Sequence, residues 1–276
     1  MAESEILSEP GGAPSALASA ARPKDPVVRK IEVSDIGEVL AAGFRDFQAK
    51  PLYGIFFGGI YALGGMAILL TAFAFGLGYL SYPLAAAFAL IGPFVATGLY
   101  EVSRRLQLGQ PMTFGAILGV IFQQSRRELS WMAFVTIFFL IVYMYQVRLL
   151  LALFLGFTTF TSMHEFVDVL VSTPEGLLFL IVVNVLGLMV SFVLFALSVV
   201  SFPLLLDRDI DFVTAMITSV RAVMTNPQAM FVWAMTIGIY LIVAMLPFFL
   251  GLIVVLPVLG HATWHLYGRV VEREES

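Results

Sequence analysis

Few side chains in this sequence could do chemistry, and those few are widely spaced. His261 and His265 stand four apart, which puts both imidazoles on one face of a helix. Neutral imidazole is the commonest metal ligand, so this spacing suits haem or metal ligation. Trp264 and Tyr267 flank the pair, and anchoring at a membrane boundary is the plainer expectation for that stretch. Arg148 is the one cation inside a long apolar run. A charge in such a run is a candidate for a ligand or ion pathway, with Glu165, Asp168 or Glu175 as its partner. Snorkelling to the headgroups is equally natural for an arginine near the end of a run. Asn184 is the most polar member of a second run and Glu101 closes a third, so both join Arg148 as ligand or pathway candidates.

The rest of the inventory is exclusion. The chain has no cysteine, which removes disulfides, thiolate metal sites and a thiol nucleophile. No C-x-x-C-H, P-loop, H-E-x-x-H or G-x-S-x-G pattern occurs. Gly58-Gly59 and Gly64-Gly65 lie within apolar sequence and not after a strand, so they are not phosphate loops. No series of titratable groups that could relay protons is visible, and no catalytic residue is expected. No basic patch with interleaved aromatics appears, which argues against a nucleic-acid partner.

These residues must be positioned by elements that live in a membrane. Of 276 residues, 60% are hydrophobic and 12% charged, about half the charged share of a soluble domain. Apolar runs long enough to cross a bilayer at roughly 20 residues each fall near Leu52–Phe75, Tyr82–Glu101, Trp131–Phe157 and Gly176–Pro203. Two more fit within Thr225–Glu272, turned by Leu246–Gly251. The predicted fold is all-α, with six transmembrane helices arranged as three hairpins. An amphipathic helix precedes each hairpin, with its apolar residues at helical spacing: Ile36–Phe47, Phe114–Phe122 and Phe212–Met224. Asp35 and Glu38 form a capping pattern at the first. The loop near Phe157–Pro174 carries His164, Glu165 and Asp168 and has room for a short surface or re-entrant helix.

The expected repeat units are about 35–105, 112–206 and 210–270, within a membrane domain of 29–271. Residues 1–28 and 272–276 are tails, the first rich in Ala, Ser, Pro and Gly and expected to be disordered. Moving Phe44–Pro51 along by 176 positions reaches Val220–Pro227, and moving Pro93 by 164 reaches Pro257. Helix packing is assigned to Gly54 and Gly58, whose spacing lets another backbone approach. Pro93, Pro203 and Pro257 mark kinks or edges of the runs. Every Lys and Arg except Arg148 lies on one side of this arrangement. The positive-inside rule then puts both termini and all three amphipathic helices in the cytoplasm of a bacterial inner membrane. Trp131, Trp233 and Trp264 fall near that boundary as interface anchors.

Phe202–Arg208, Asn226-Pro227, Pro257–His265 and Phe44–Pro51 together resemble a bacterial family of integral membrane proteins, domain of unknown function 2189, over about Arg29–Val271. The resemblance implies no activity. Some relatives carry a cytochrome c oxidase label, but three histidines are too few for the catalytic subunit. At most an accessory of a respiratory complex is implied. A three-hairpin plan with amphipathic helices also resembles mitochondrial carriers in architecture, without their P-x-[DE]-x-x-[KR] motif. The expectation is a non-enzymatic scaffold or accessory protein, with the lipid bilayer, another membrane protein or a respiratory complex as partner. A small-solute transporter or channel and a haem-associated respiratory accessory are the competing expectations. No cofactor is expected outside that haem reading.

Overall fold

The computed structural model describes residues 26–71, 78–125, 128–156 and 163–272, with side chains omitted for 78–91, Pro93, Ser125 and Met163. Eleven helices run in chain order among the described residues: α1 (Ser34–Ala49), α2 (Pro51–Leu69), α3 (Gly78–Leu108), α4 (Phe114–Ser125), α5 (Glu128–Leu155), α6 (Met163–Ser172), α7 (Pro174–Ser198), α8 (Ser201–Asp207), α9 (Phe212–Thr225), α10 (Pro227–Met245) and α11 (Leu252–Val270). The expected loop after α5 does hold a short helix, α6, while residues 157–162 fall outside the description.

Among the described residues, four helical segments are long and apolar enough to cross a membrane: α2, α5, the α7–α8 stretch and α10. The six expected crossings are therefore not all of one kind. α11 carries His261, Thr263, His265 and Arg269, and these dilute its apolar character. It instead buries ten of its 19 residues, packed against α1, α2 and α3. α7 and α8 together cover 34 residues, or about 51 Å of helix, against a hydrocarbon layer of about 30 Å. The expected single crossing to Pro203 divides here. α7 ends at Ser198, and Pro203 sits in the first turn of the buried α8, where its missing N–H costs little. Ser219 Oγ accepts the N–H of Val200 at 3.1 Å and so satisfies a donor the break exposes.

Proline also sets the corners. Lys50 before Pro51 and Asn226 before Pro227 take nearly the same conformation, φ −140° and ψ 61° against φ −126° and ψ 52°. Residues preceding proline are steered out of the helical region, so α1 and α9 each end abruptly and a new helix leaves at an angle. Asn226 reinforces its corner: it accepts from the Ile31 N–H at 2.8 Å and donates to the Arg29 carbonyl at 3.0 Å.

The main core lies at the end of the molecule where α1, α8, α9 and the last turns of α11 meet. Val39, Val200, Leu204, Ala215, Ala222, Met230, Trp233 and Val270 are fully enclosed there. Trp233 is thus a core residue and not a headgroup anchor, because α1 and α9 wrap the start of α10. Trp264 is also buried and stacks on Tyr100, whereas Trp131 stays exposed and stacks on Phe212 at 5.6 Å. The apolar face of α1, built for a lipid surface by its pattern, is pressed on α11. Gly43 lies so close to Val258 and Ala262 that a Cβ would stand 2.5 Å from the Ala262 nitrogen.

Gly54 and Gly58 pack inside the chain, against Phe47 and Pro257 and against the Leu252–Ile253 backbone. These contacts run α2 antiparallel to α11 and place Pro51 level with about Gly260. Phe249, at φ 67°, rests its ring on Gly65 and fastens the α10–α11 turn to α2. At the other end Val28 bridges Val271, with Arg29 N–H donating to the Val270 carbonyl at 2.7 Å and Glu272 N–H to Val27 at 2.9 Å. The two ends of the described chain are thus stitched together.

Candidate functional site

The polar side chains converge at the stitched end, on the facing surfaces of α1, α3 and α11. Trp264 Nε1–H donates to Gln107 Oε1 at 3.1 Å. An indole nitrogen can only donate, so this contact orients the Gln107 amide. Its Nε2 then donates to His265 Nδ1 at 3.2 Å, and His265 must carry its proton on Nε2. That proton goes to Asp46 Oδ2 at 2.7 Å. Ser103 lies beside the same carboxylate and helps keep it charged, and its hydroxyl shares a hydrogen bond with His261 Nδ1 at 2.8 Å. The result is one chain of donors and acceptors that ends on a single carboxylate.

Asp46 responds accordingly. Burial pushes its carboxyl up, but the bonds from His265 and Ser103 and the nearby imidazoles outweigh that, and it sits below the usual carboxylate range. His261 faces the opposite situation. It is fully enclosed, and its Nε2 has no hydrogen-bond partner in the structure. A ring with one nitrogen tied and the other bare is the pattern of a metal ligand, yet the cavities found at this end are not lined by it. His265 has both nitrogens occupied. The pair that spacing suggested for haem or metal therefore does not present two open nitrogens to one space. Among the described residues no cluster of three or more metal-ligating side chains occurs.

A second polar group shares the same stretch of α3. Glu101 is completely buried and accepts from Arg104 Nη1 at 2.9 Å and from Arg105 Nε at 2.6 Å. Arg105 continues to the Pro111 carbonyl at 2.7 Å, so this triad holds the α3–α4 turn. Asp35 and Glu38 do not form the expected capping box. Asp35 accepts from Glu32 N–H, and both carboxylates grip Arg269 at the end of α11. A strong cation 234 residues away in sequence takes the other Asp35 oxygen and the Glu38 carboxylate.

Two cavities flank the network and share Gln107 and Gly268. One, of about 540 Å³, is lined by Arg104, Asp207, Arg208, Trp264 and Tyr267 among others. The other, of about 450 Å³, lies beside Glu38, Arg45, His265 and Arg269. Their rims are engaged by local bonds: Tyr267 donates to Asp207 at 2.6 Å and Arg208 to the Glu272 carbonyl beside the first, and Arg269 pairs with Glu38 beside the second. Ser103 is buried and already bonded, so no nucleophile is displayed in either cavity among the described residues.

Arg148 and Asn184 are remote from this cluster. Arg148 is exposed on α5, 20 residues past Glu128 and so about 30 Å along the helix. Asn184 is exposed on α7, its amide donating to the Leu180 carbonyl at 2.8 Å. Pro93 lies within α3, its side chain outside the description, and Pro257 lies inside α11, buried against α2. Sequence reasoning missed Asp46, Ser103 and Gln107, which lie on two other helices. The only signal for them was a polar side chain placed at the edge of an apolar face.

No curated protein and no solved structure matches this chain. A family described as predicted integral membrane protein (DUF2189) matches residues 81–207, from within α3 to the end of α8. Four apolar helical segments of spanning length among the described residues agree with this match: the chain is an integral membrane protein whose residues 81–207 are similar to that family.

Proposed function

We propose that this protein is a non-enzymatic scaffold or accessory protein of the bacterial inner membrane, holding both termini in the cytoplasm and offering its packed end to another membrane component. The observation that carries the reading is the division of labour within the chain. One end is bolted by ion pairs and a dense core, while the spans show long apolar faces. In the most apolar stretch of α5 no residue is buried, and in that of α2 only 28% are. Such faces suit lipid or a partner's helices.

Several observations support the topology. The backbone bonds between 27–29 and 270–272 keep the two ends on one side, which requires an even number of crossings. Six crossings satisfy it if α3 and α11 complete the hairpins begun by α2 and α10. The alike corners at Lys50-Pro51 and Asn226-Pro227 favour a repeated unit of amphipathic helix, corner and hairpin. The cations gather at the same end, as the positive-inside rule asks.

The test has two parts. Cysteines placed at Ser172 and Gln48, in a chain that naturally has none, report sidedness. In spheroplasts an impermeant thiol reagent should label the first and not the second; the reverse pattern overturns the orientation. Isolation in mild detergent, read by mass spectrometry, should yield a partner in fixed stoichiometry. Isolation alone, together with solute flux in reconstituted vesicles, would replace the scaffold with a transporter.

A further inference from the structure

The spans themselves contain a polar site that the packed end does not explain. Between α5 and α7 lies a groove of about 370 Å³, within the size range of small-molecule sites. Its walls are apolar, with Phe139, Leu140 and Leu188, but Tyr143, Asn184 and Ser191 face the same space. Asn184 stands ten residues past Pro174 and Tyr143 fifteen past Glu128, about 15 and 22 Å along their helices. Each thus stands in the middle third of a helix of 28 or 25 residues, and a hydrocarbon layer of about 30 Å centred on the two helices encloses both. Water and lipid headgroups do not reach this depth, and a polar group left unsatisfied there is costly.

Local bonding does not exhaust these side chains. Asn184 spends one amide hydrogen on Leu180 O and keeps its carbonyl oxygen as an acceptor. The Tyr143 hydroxyl rests against Gly187, where an added Cβ would stand 2.8 Å from it. The glycine thus admits the hydroxyl to the α7 wall of the groove. A donor and an acceptor are held at one depth on facing helices, with an apolar slot between them.

The geometry points to a binding site for a neutral, lipid-soluble molecule that bears a hydroxyl or carbonyl group and lies wholly within the hydrocarbon. A bare acyl chain fills the slot but offers nothing to the amide and the phenol. A charged or zwitterionic lipid cannot bring its headgroup to this depth. This site goes beyond the scaffold reading and stands whether or not a partner protein co-isolates.

Two photoactivatable probes test it on the full chain in nanodiscs: a long-chain aliphatic alcohol carrying a diazirine, and the matching alkane. The alcohol should label peptides covering 136–143 and 184–191 at least fivefold more than the alkane does, and unlabelled alcohol should compete. Asn184→Leu and Tyr143→Phe, each checked for unchanged unfolding temperature, should bring alcohol labelling down to the alkane level. Gly187→Val, which crowds Tyr143, should abolish labelling by both probes. Equal labelling by the two probes in the unaltered chain overturns the proposal without any variant having to fold. So does a dimer that Asn184→Leu converts to monomer by light scattering, which would assign the amide to a second copy.

Discussion

α11 and α5 would both be read as membrane helices, yet they solve opposite problems. α5 is 28 residues of almost unbroken apolar sequence, and only Leu129, Met132 and Ala133 at its start are buried. α11 is shorter and interrupted by His261, Thr263, His265 and Arg269, and it buries ten of its 19 residues. The apolar helix faces outward because hydrocarbon costs it nothing. The polar helix goes inside because the partners of its side chains, Ser103 for His261, Asp46 for His265 and Asp35 and Glu38 for Arg269, lie on neighbouring helices and hydrocarbon offers none. In a membrane the usual rule inverts: the polar side chains mark where the chain packs against itself.

The sharpest way to break this comparison is to remove a charge from each region. Glu101→Gln leaves Arg104 and Arg105 without their buried carboxylate, a loss of about 3 kcal/mol by analogy with broken buried pairs. Arg148→Leu on the exposed flank of α5 should change stability by about 0.5 kcal/mol or less. Thermal unfolding in detergent compares the two directly. Equal losses would mean that the end of α3 is no more bolted than the spans.

Glycine gives the next contrast. Gly43→Ala forces a methyl against the backbone of α11, where overpacking costs about 1–3 kcal/mol. Gly59 and Gly238 have nothing within 4 Å of a built Cβ, so alanine there should be neutral or slightly stabilising. If Gly43→Ala is silent by the same assay, α1 does not sit on α11 as described.

What the sequence made legible follows from the same physics. Long apolar runs need no partner to be understood, so α2, α5, α7 and α10 were readable from length and composition. The prolines at 51 and 227 announced their corners locally, and a helix between α5 and α7 was expected where α6 stands. The site was another matter. His265 meets a carboxylate 219 residues away, and no local pattern ties Asp46 to it. Trp233 and Trp264 looked like anchors because tryptophan usually is one near a membrane boundary. Their burial depends on α1, α8 and α9 folding over them. Asp35 and Glu38 match a local capping pattern, and nothing near them in sequence points to Arg269.

Gln107 tests whether the network is a structural bolt. Gln107→Leu leaves the Trp264 indole N–H and His265 Nδ1 unpaired, a loss of about 1–2 kcal/mol. Asn184→Leu, whose amide bonds only its own helix, should cost about 0.5 kcal/mol or less. A red shift of tryptophan emission should accompany the first substitution and not the second, since only the first frees an indole.

The smallest expected effect is acid sensitivity at Asp46. Its folded carboxyl lies below the ordinary value of 3.8, so proton binding is weaker in the folded chain than in the unfolded one. The stabilisation is therefore fully present above pH about 4 and is lost as pH falls through the folded value. Asp46→Asn should lower stability at neutral pH and flatten that acid limb, while Asp46→Glu should keep the limb. The comparison with the spans sharpens here, because α5 places no carboxylate in its apolar stretch beyond Glu128. An acid limb unchanged in Asp46→Asn would move the pH-sensitive joint away from the contact between α1 and α11, toward the carboxylates that grip Arg269.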